Sequence, residues 1–264
     1  MYVIFHLMPS GKCDVSLILP AYNEAGTITR TLAEAVEYFR ARSLTYEIIV
    51  AADGDDGTRE LAREFAKTEA SICVIGESGR RGKGKGIREG VMLAAGEIVG
   101  FADADNKVPI GEFGKLETFL HNGYEIAIGS RGLERSCVKR KQKLYRQIGS
   151  VGFGRLMHAL VGLPEITDTQ CGFKFFHREV AQDLFRRQQI DGYMFDVEIL
   201  VLAQSLGYRV REVPIVWSDD ADSRLQLVSG NLRNVADLFK IRLTSMRQSE
   251  APATVEAHVN SAPR

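Results

Sequence analysis

The stretch Glu97-Ile98-Val99-Gly100-Phe101-Ala102-Asp103-Ala104-Asp105 decides how the chain is read, because an apolar run rich in β-branched residues ends abruptly in two carboxylates one residue apart. Such a run predicts a buried strand that delivers acid to the edge of a sheet. Side chains alternate along a strand, so Asp103 and Asp105 share one side if the strand continues, and a turn brings both near one cation. A hard divalent ion takes carboxylate oxygen and keeps room for phosphate oxygens, which suits a metal-bound nucleotide diphosphate. The two acids also fit a solvated strand end and a helix cap ahead of Pro109. The rest of the chain tips the balance toward the metal.

Outward from that strand the pattern repeats. Residues 15–19, closed by Pro20, form a short apolar run, and Ile28, Leu32, Val36 and Phe39 then fall at helical spacing between about Ala25 and Arg42. A strand at 46–51, a helix at 58–67 and a strand at 71–75 follow, and a glycine-rich basic loop, 79–86, leads into a helix holding Ile87, Val91 and Leu93. A helix at 110–121 and a strand at 124–129 complete five strand-helix alternations. Alternation of this kind implies an α/β fold with a mostly parallel central sheet, helices on both faces and ligands at the carboxyl ends of the strands.

The second half is less regular. Residues 131–155 carry Arg135, Lys139, Arg140, Lys141, Lys143 and Arg146 against one acid, Glu134, which fits either an anion site or a solvated helix face. A short segment at 170–176, a helix with Val180 and Leu184, a helix from Phe195 to Leu206 capped by Gly207, and one strand from Tyr208 to Trp217 come next. Asn231 to Arg247 is amphipathic, with Leu232, Val235, Phe239, Leu243 and Met246 on one face. It fits peripheral contact with an anionic membrane surface or docking on its own core. The tail 250–264 reads as disordered, leaving one domain over 1–249, with a nucleotide-binding half near 14–131 and an acceptor half near 132–249.

Composition narrows the classes. Thirty-four basic residues balance 34 acidic ones, so the whole-molecule field makes no case for nucleic acid. The four cysteines are scattered without a CxxC pair, which argues against zinc and a disulfide scaffold and for a reducing cytoplasm. The apolar start, Met1 to Met8, is far too short to span a bilayer, so the expected location is cytoplasmic, soluble or on the membrane surface. The run Gly79 to Gly86 nearly matches a phosphate-binding GxxxxGK[ST] loop but ends in Gly86, which has no hydroxyl for magnesium.

Four polar clusters follow strands and would open on one edge: residues 20–24, 52–57, 82–86 and 103–105. Ser16 to Glu24, the Asp53-Gly54 turn, Arg81-Gly-Lys-Gly84 and Phe101-Ala-Asp-Ala-Asp105, followed in order by Ile128-Gly-Ser-Arg131, Asp168-Thr-Gln-Cys-Gly-Phe-Lys174, Phe195-Asp-Val-Glu198 and Ser223-Arg-Leu225, resemble glycosyltransferase family 2 over residues 14–226. The likeness is strongest to its dolichyl-phosphate β-glucosyltransferase branch, with the mannosyltransferases next. That resemblance implies a GT-A fold and inverting transfer of a sugar, glucose from UDP-glucose first, to a polyprenyl phosphate. Mannosyl transfer from GDP-mannose, a soluble hydroxyl acceptor, and a non-catalytic nucleotide-sugar-binding subunit are the alternatives.

By position, the resemblance puts Pro20, Ala21, Tyr22, Glu24, Ala51, Asp53, Lys83, Gly84 and Ala104 around the nucleotide-sugar donor, and Asp103 and Asp105 on Mg²⁺ or Mn²⁺. It turns Arg131, Arg224 and Lys174 toward donor or acceptor phosphates. Asp168, Asp196 and Glu198 line the acceptor side, with Asp105, Arg131, Asp168 and Asp196 as the catalytic candidates. Two departures stand out: the second-strand turn has one acid, Ala52-Asp53, and the mannosyltransferases' third metal ligand is replaced by Lys107.

Overall fold

The computed structural model of the 264-residue chain describes residues 12–133, 136–138, 162–218 and 236–242. Strand β1 (Cys13–Tyr22) is followed by helix α1 (Ile28–Ala41), β2 (Tyr46–Asp53), α2 (Thr58–Ala66), β3 (Ile72–Ile75), α3 (Lys83–Leu93) and β4 (Gly96–Ala102). A 3-10 turn (Ile110–Glu112) runs into α4 (Phe113–His121), and β5 (Ile126–Ser130), β6 (Cys137–Val138), β7 (Phe173–His177), α5 (Arg178–Arg187), α6 (Phe195–Ser205), β8 (Val210–Pro214) and β9 (Val216–Trp217) follow. Seven strands form one sheet in the order β3-β2-β1-β4-β7-β5-β8, and β6 pairs with β9 apart from it. Only β7 runs antiparallel to its neighbours in that sheet.

Apolar runs with little alternation are what a sheet buried on both faces requires, and side-chain direction sorts them between two cores. Leu17, Leu19, Ile48 and Val50 pack with Leu32 and Phe39 of α1 and Phe113 of α4 on one face. Ile18, Ile49 and Val99 pack with Ile87 of α3, Leu184 of α5 and Leu200 of α6 on the other. Because β7 lies between β4 and β5, the two halves of the chain share one sheet.

Several sequence expectations need correction. Strand β1 passes through Pro20 to Tyr22, because its pairing with β4 ends at Ile18 and beyond that point it is bonded to β2 alone, where a missing N–H is tolerated. The segment at 170–176 contributes a sheet strand only from Phe173, and the strand runs on to His177; its alternation is hidden because Phe173, Phe175 and Phe176 are buried on both faces. The expected single strand from Tyr208 to Trp217 breaks at Ile215, where the chain leaves the sheet to pair with β6. Only 236–242 of the proposed amphipathic helix is described, and it is helical. There Leu238 and Ile241 join the core, whereas Phe239, expected on the apolar stripe, is 54 % exposed. The tail 250–264 lies outside the described residues.

Candidate active site

One loop holds together the carboxyl ends of three strands. Between the end of β3 and the first residue of α3, Lys83, three cations each reach a different strand end. The Arg80 guanidinium lies 4.6 Å above the Tyr22 ring, at the end of β1. Arg81 donates from its backbone N to Asp53 Oδ2 at 2.9 Å and from Nε to Oδ1 at 3.1 Å, at the end of β2. Lys83 Nζ is 2.6 Å from Asp103 Oδ1, just past β4.

The loop is seated by close backbone packing. At Gly82, φ is +113° and a Cβ would come within 2.2 Å of the Asp191 carbonyl oxygen, so only glycine fits. A Cβ at Gly84 would lie 2.7 Å from both Ile190 O and Phe195 Cβ. Helix α3 begins at Lys83, which brings the positive end of its dipole to the same rim. Burial works against the Lys83 ammonium, but Asp103 and Asp196 overcome it and hold the group above the usual lysine value.

At the acid end of β4, the Asp103 amide donates to Gly172 O at 3.1 Å, and Thr31 Oγ1 donates to Ala104 O at 2.8 Å. Asp105 is gripped by one neighbour: Lys107 Nζ is 2.7 Å from Oδ2 and the Lys107 amide donates to Oδ1 at 3.3 Å. Both carboxylates thus lie in direct contact with cations at the mouth of the loop cluster. As hard oxygen donors they fit a magnesium or manganese ion that completes its shell with diphosphate oxygens. Among the described residues no group of three His, Cys, Asp or Glu encloses an ion, so they fit a shared metal rather than an all-protein cage.

A second cluster, expected from the sequence to face the acceptor, is built from β5, β7 and α6. Arg131, directly after β5, forks onto Asp168 with Nε to Oδ2 at 2.7 Å and Nη2 to Oδ1 at 2.8 Å, while its amide donates to Oδ2 at 2.9 Å. Its guanidinium stands 5.8 Å above the Trp217 ring. Burial pushes the Asp168 carboxyl up, but the hydrogen bonds and charge of Arg131 more than offset this and leave it below the usual range. Glu212 Oε1 and Oε2 in turn accept the amides of Asp168 and Thr167, each at 2.8 Å.

Beneath lies a buried pair. Lys174 is fully buried on β7, and its ammonium reaches Asp196 Oδ1 at 2.5 Å and Cys171 O at 2.8 Å. Burial raises the Asp196 carboxyl against the pull of Lys174 and Lys83. Glu198 accepts the amides of Gln189 and Ile190, each at 2.9 Å, and so holds the loop before α6. The Cys171 thiol is pushed up to about 12, first by burial and then by Asp168, which removes it as a nucleophile.

Most of the residues singled out in the sequence meet at this rim. Pro20 pairs with Ala51 and Tyr22 with Asp53 across β1 and β2, and Ala51 forms the floor beneath α3 at Gly86. Glu24 Oε2 accepts Thr27 Oγ1 at 2.9 Å, ahead of α1. Lys174 is placed differently from expectation: the shape of a buried strand turns its ammonium inward, away from any phosphate at the surface. Asp196 likewise sits in the interior, 4 % exposed. Arg224 and the basic run 139–146 lie outside the described residues. Sequence reasoning passed over Arg80, Tyr193 and Trp217. Tyr193 accepts from Arg80 Nη2 at 3.0 Å and closes the far side of the rim, and Trp217, the lone tryptophan, carried the clearest unused signal.

The chain is 35 % identical over 239 residues to dolichyl-phosphate beta-glucosyltransferase ALG5C of Trichomonas vaginalis, spanning 86 % of this chain and 70 % of that one. It is 34 % identical over 245 residues to the human dolichyl-phosphate beta-glucosyltransferase, spanning 87 % and 75 %. In fold it resembles glucosyl-3-phosphoglycerate synthase from Mycobacterium tuberculosis, solved with Mn²⁺ and UDP-glucose, at a TM-score of 0.64 and 19 % identity over 87 % of this chain and 79 % of that one. Residues 16–185 match the sequence profile described as glycosyl transferase family 2, and the chain belongs to that family.

Proposed function

We propose that this glycosyltransferase moves glucose from UDP-glucose to a polyprenyl phosphate of the dolichyl type, with inversion at the anomeric carbon. The names of its relatives support the sugar and the acceptor, and neighbours solved with UDP-glucose and Mn²⁺ support the donor and a divalent ion. The observation that supports the acceptor is that, among the described residues, the three acids expected on that side are already engaged. Asp168 is held by Arg131, Asp196 by Lys174 and Glu198 by two backbone amides. A site rich in fixed charge whose three acids are held in this way suits an acceptor that is already an anion. A phosphate monoester, with a second pKa of about 6, is such an acceptor.

In this reading an acceptor phosphate oxygen attacks the anomeric carbon, the bond to the donor diphosphate breaks, and its electron pair leaves with the diphosphate. Magnesium or manganese, when bound by Asp103 and Asp105, would neutralise charge on that leaving group. Lys83 and the positive end of α3 stand where the same charge develops. Arg131 spends Nε and Nη2 on Asp168, which fixes the plane of the guanidinium so that its remaining edge can face a phosphate. Tyr22, Asp53 and the Arg80–Arg81 pair form the wall on the nucleoside side.

A peripheral membrane contact fits the lipid acceptor. No helix among the described residues is long and apolar enough to cross a bilayer. Helix 236–242 presents Phe239, Lys240 and Arg242 to the outside while Leu238 and Ile241 face the core. The test is transfer of radiolabelled sugar from UDP-glucose or GDP-mannose to polyprenyl phosphate in vesicles, with a soluble sugar phosphate as the competing acceptor. Lipid-linked glucose is the expected product. Lipid-linked mannose would reassign the donor, preference for the soluble hydroxyl would reassign the acceptor, and donor binding without transfer or hydrolysis would indicate a binding subunit.

A further inference from the structure

Each of the two candidate metal ligands already carries an internal ammonium. Lys83 contacts one oxygen of Asp103 at 2.6 Å, and Lys107 takes both oxygens of Asp105, through Nζ at 2.7 Å and its own amide at 3.3 Å. The two lysine side chains are held close to the protein, with 17 % and 21 % exposure. Lys107 is also fixed through its backbone, since the Ser218 amide donates to Lys107 O at 2.9 Å and links this turn to the end of β9. Resting on the metal-dependent reading above, we infer that Lys83 and Lys107 are built-in counter-ions that close the acid pair to a free divalent ion, so that the metal enters only with the donor diphosphate.

Charge balance gives the reason. Two carboxylates and two ammonium groups cancel, so a free dication meets little net attraction; it must displace Lys107 to reach Asp105, and it competes with Lys83 for Asp103. A diphosphate changes the exchange. Its oxygens offer the lysines an alternative partner, each lysine that turns to phosphate frees a carboxylate, and the freed carboxylates and the phosphate together form a hard oxygen site for the ion. The position two residues past Asp105 thus holds a cation that competes with the metal.

The test is a titration with Mn²⁺, following the loss of the free-ion electron paramagnetic resonance signal, on purified wild-type protein with and without UDP or GDP. Wild-type protein is expected to bind Mn²⁺ weakly alone and at least about tenfold more tightly with the matching diphosphate. In Lys107→Gln, affinity for Mn²⁺ alone should rise about tenfold and the diphosphate's effect should shrink. Lys107→Arg keeps the charge and should behave as wild type. Adding Asp105→Asn to Lys107→Gln should erase the gain, which places it at this site, and thermal melting of each variant checks that it is folded.

Equal Mn²⁺ affinity with and without diphosphate in the wild type, or no change in Lys107→Gln, would overturn the counter-ion role while leaving the metal reading intact. If no form binds Mn²⁺ even with diphosphate, and diphosphate protects against unfolding equally with and without the ion, the metal reading fails and this inference with it.

Discussion

Arg131 and Asp168 join the end of β5 to the segment leading into β7 through a two-pronged hydrogen bond at 2.7 and 2.8 Å. Breaking a buried pair by removing one partner leaves the other charge uncompensated. Because Arg131 keeps 34 % exposure, Asp168→Asn should cost about 2 kcal/mol in urea unfolding, less than the 3–5 kcal/mol of a fully enclosed pair. Arg131→Lys keeps the charge but loses the planar fork, so transfer should fall well beyond the loss in stability.

The same pair sets an acid limit. The folded Asp168 value lies below its ordinary 3.8, so the stabilisation is present above that pH and is lost as pH falls through the folded value. Unfolding monitored from pH 6 to about pH 2 should steepen below pH 4 in the wild type and flatten in Asp168→Asn.

Gly172 offers a way to disturb the acid end of β4 without touching an acid. A Cβ there would lie 2.1 Å from Asp103 Oδ2, and the end of a side chain can swing away where backbone cannot. Gly172→Ala should leave the melting temperature nearly unchanged yet lower transfer by about a hundredfold, a loss typical of a misplaced electrostatic group. Full activity in this variant would show that the position of the Asp103 carboxylate is unimportant. Asp105→Asn should abolish transfer with the fold largely spared, as read by far-ultraviolet circular dichroism and activity.

Lys174 and Asp196 should behave as an interior pair. Asp196→Asn leaves an ammonium at a site with no exposure, and a loss of about 3–5 kcal/mol is expected. The double variant Lys174→Met with Asp196→Leu should lose less than the sum of its single variants. Additive losses in a double-mutant cycle would contradict the pairing.

Helix 236–242 separates packing from membrane contact. Leu238→Ala should cost about 2–5 kcal/mol because the side chain is fully buried, whereas Phe239→Ser should be almost neutral in stability. If this helix meets the lipid surface, Phe239→Ser reduces sedimentation with anionic vesicles, and unchanged sedimentation removes it from that role.

Much of the fold was legible because period and length speak plainly in the first half. Val15 to Leu19, Ile48 to Val50 and Ile98 to Ala102 are buried on both faces and read as strands, and their acid and glycine punctuation marks the rim. What escaped was set by partners distant in sequence. The direction of β7 follows from its neighbours β4 and β5, which no local pattern encodes. The inward turn of Lys174 depends on Asp196, 22 residues away, and the roles of Arg80 and Arg81 depend on strand ends that meet only after folding. Lys107 was visible as a departure from a family pattern, but its grip on Asp105 was not.

The reversed course of β7 has a further consequence. Its first residue, Phe173, stands opposite Ala102, the last residue of β4, so the chain arrives at this strand on the very edge that the others leave. A strand that begins there can be fed by connections of any length or character while every ladder behind it keeps its register. On the function proposed above, exchanging residues ahead of Phe173 should change which recipient of the sugar is accepted while leaving the strand ends at Tyr22, Asp53 and Asp103 as they are.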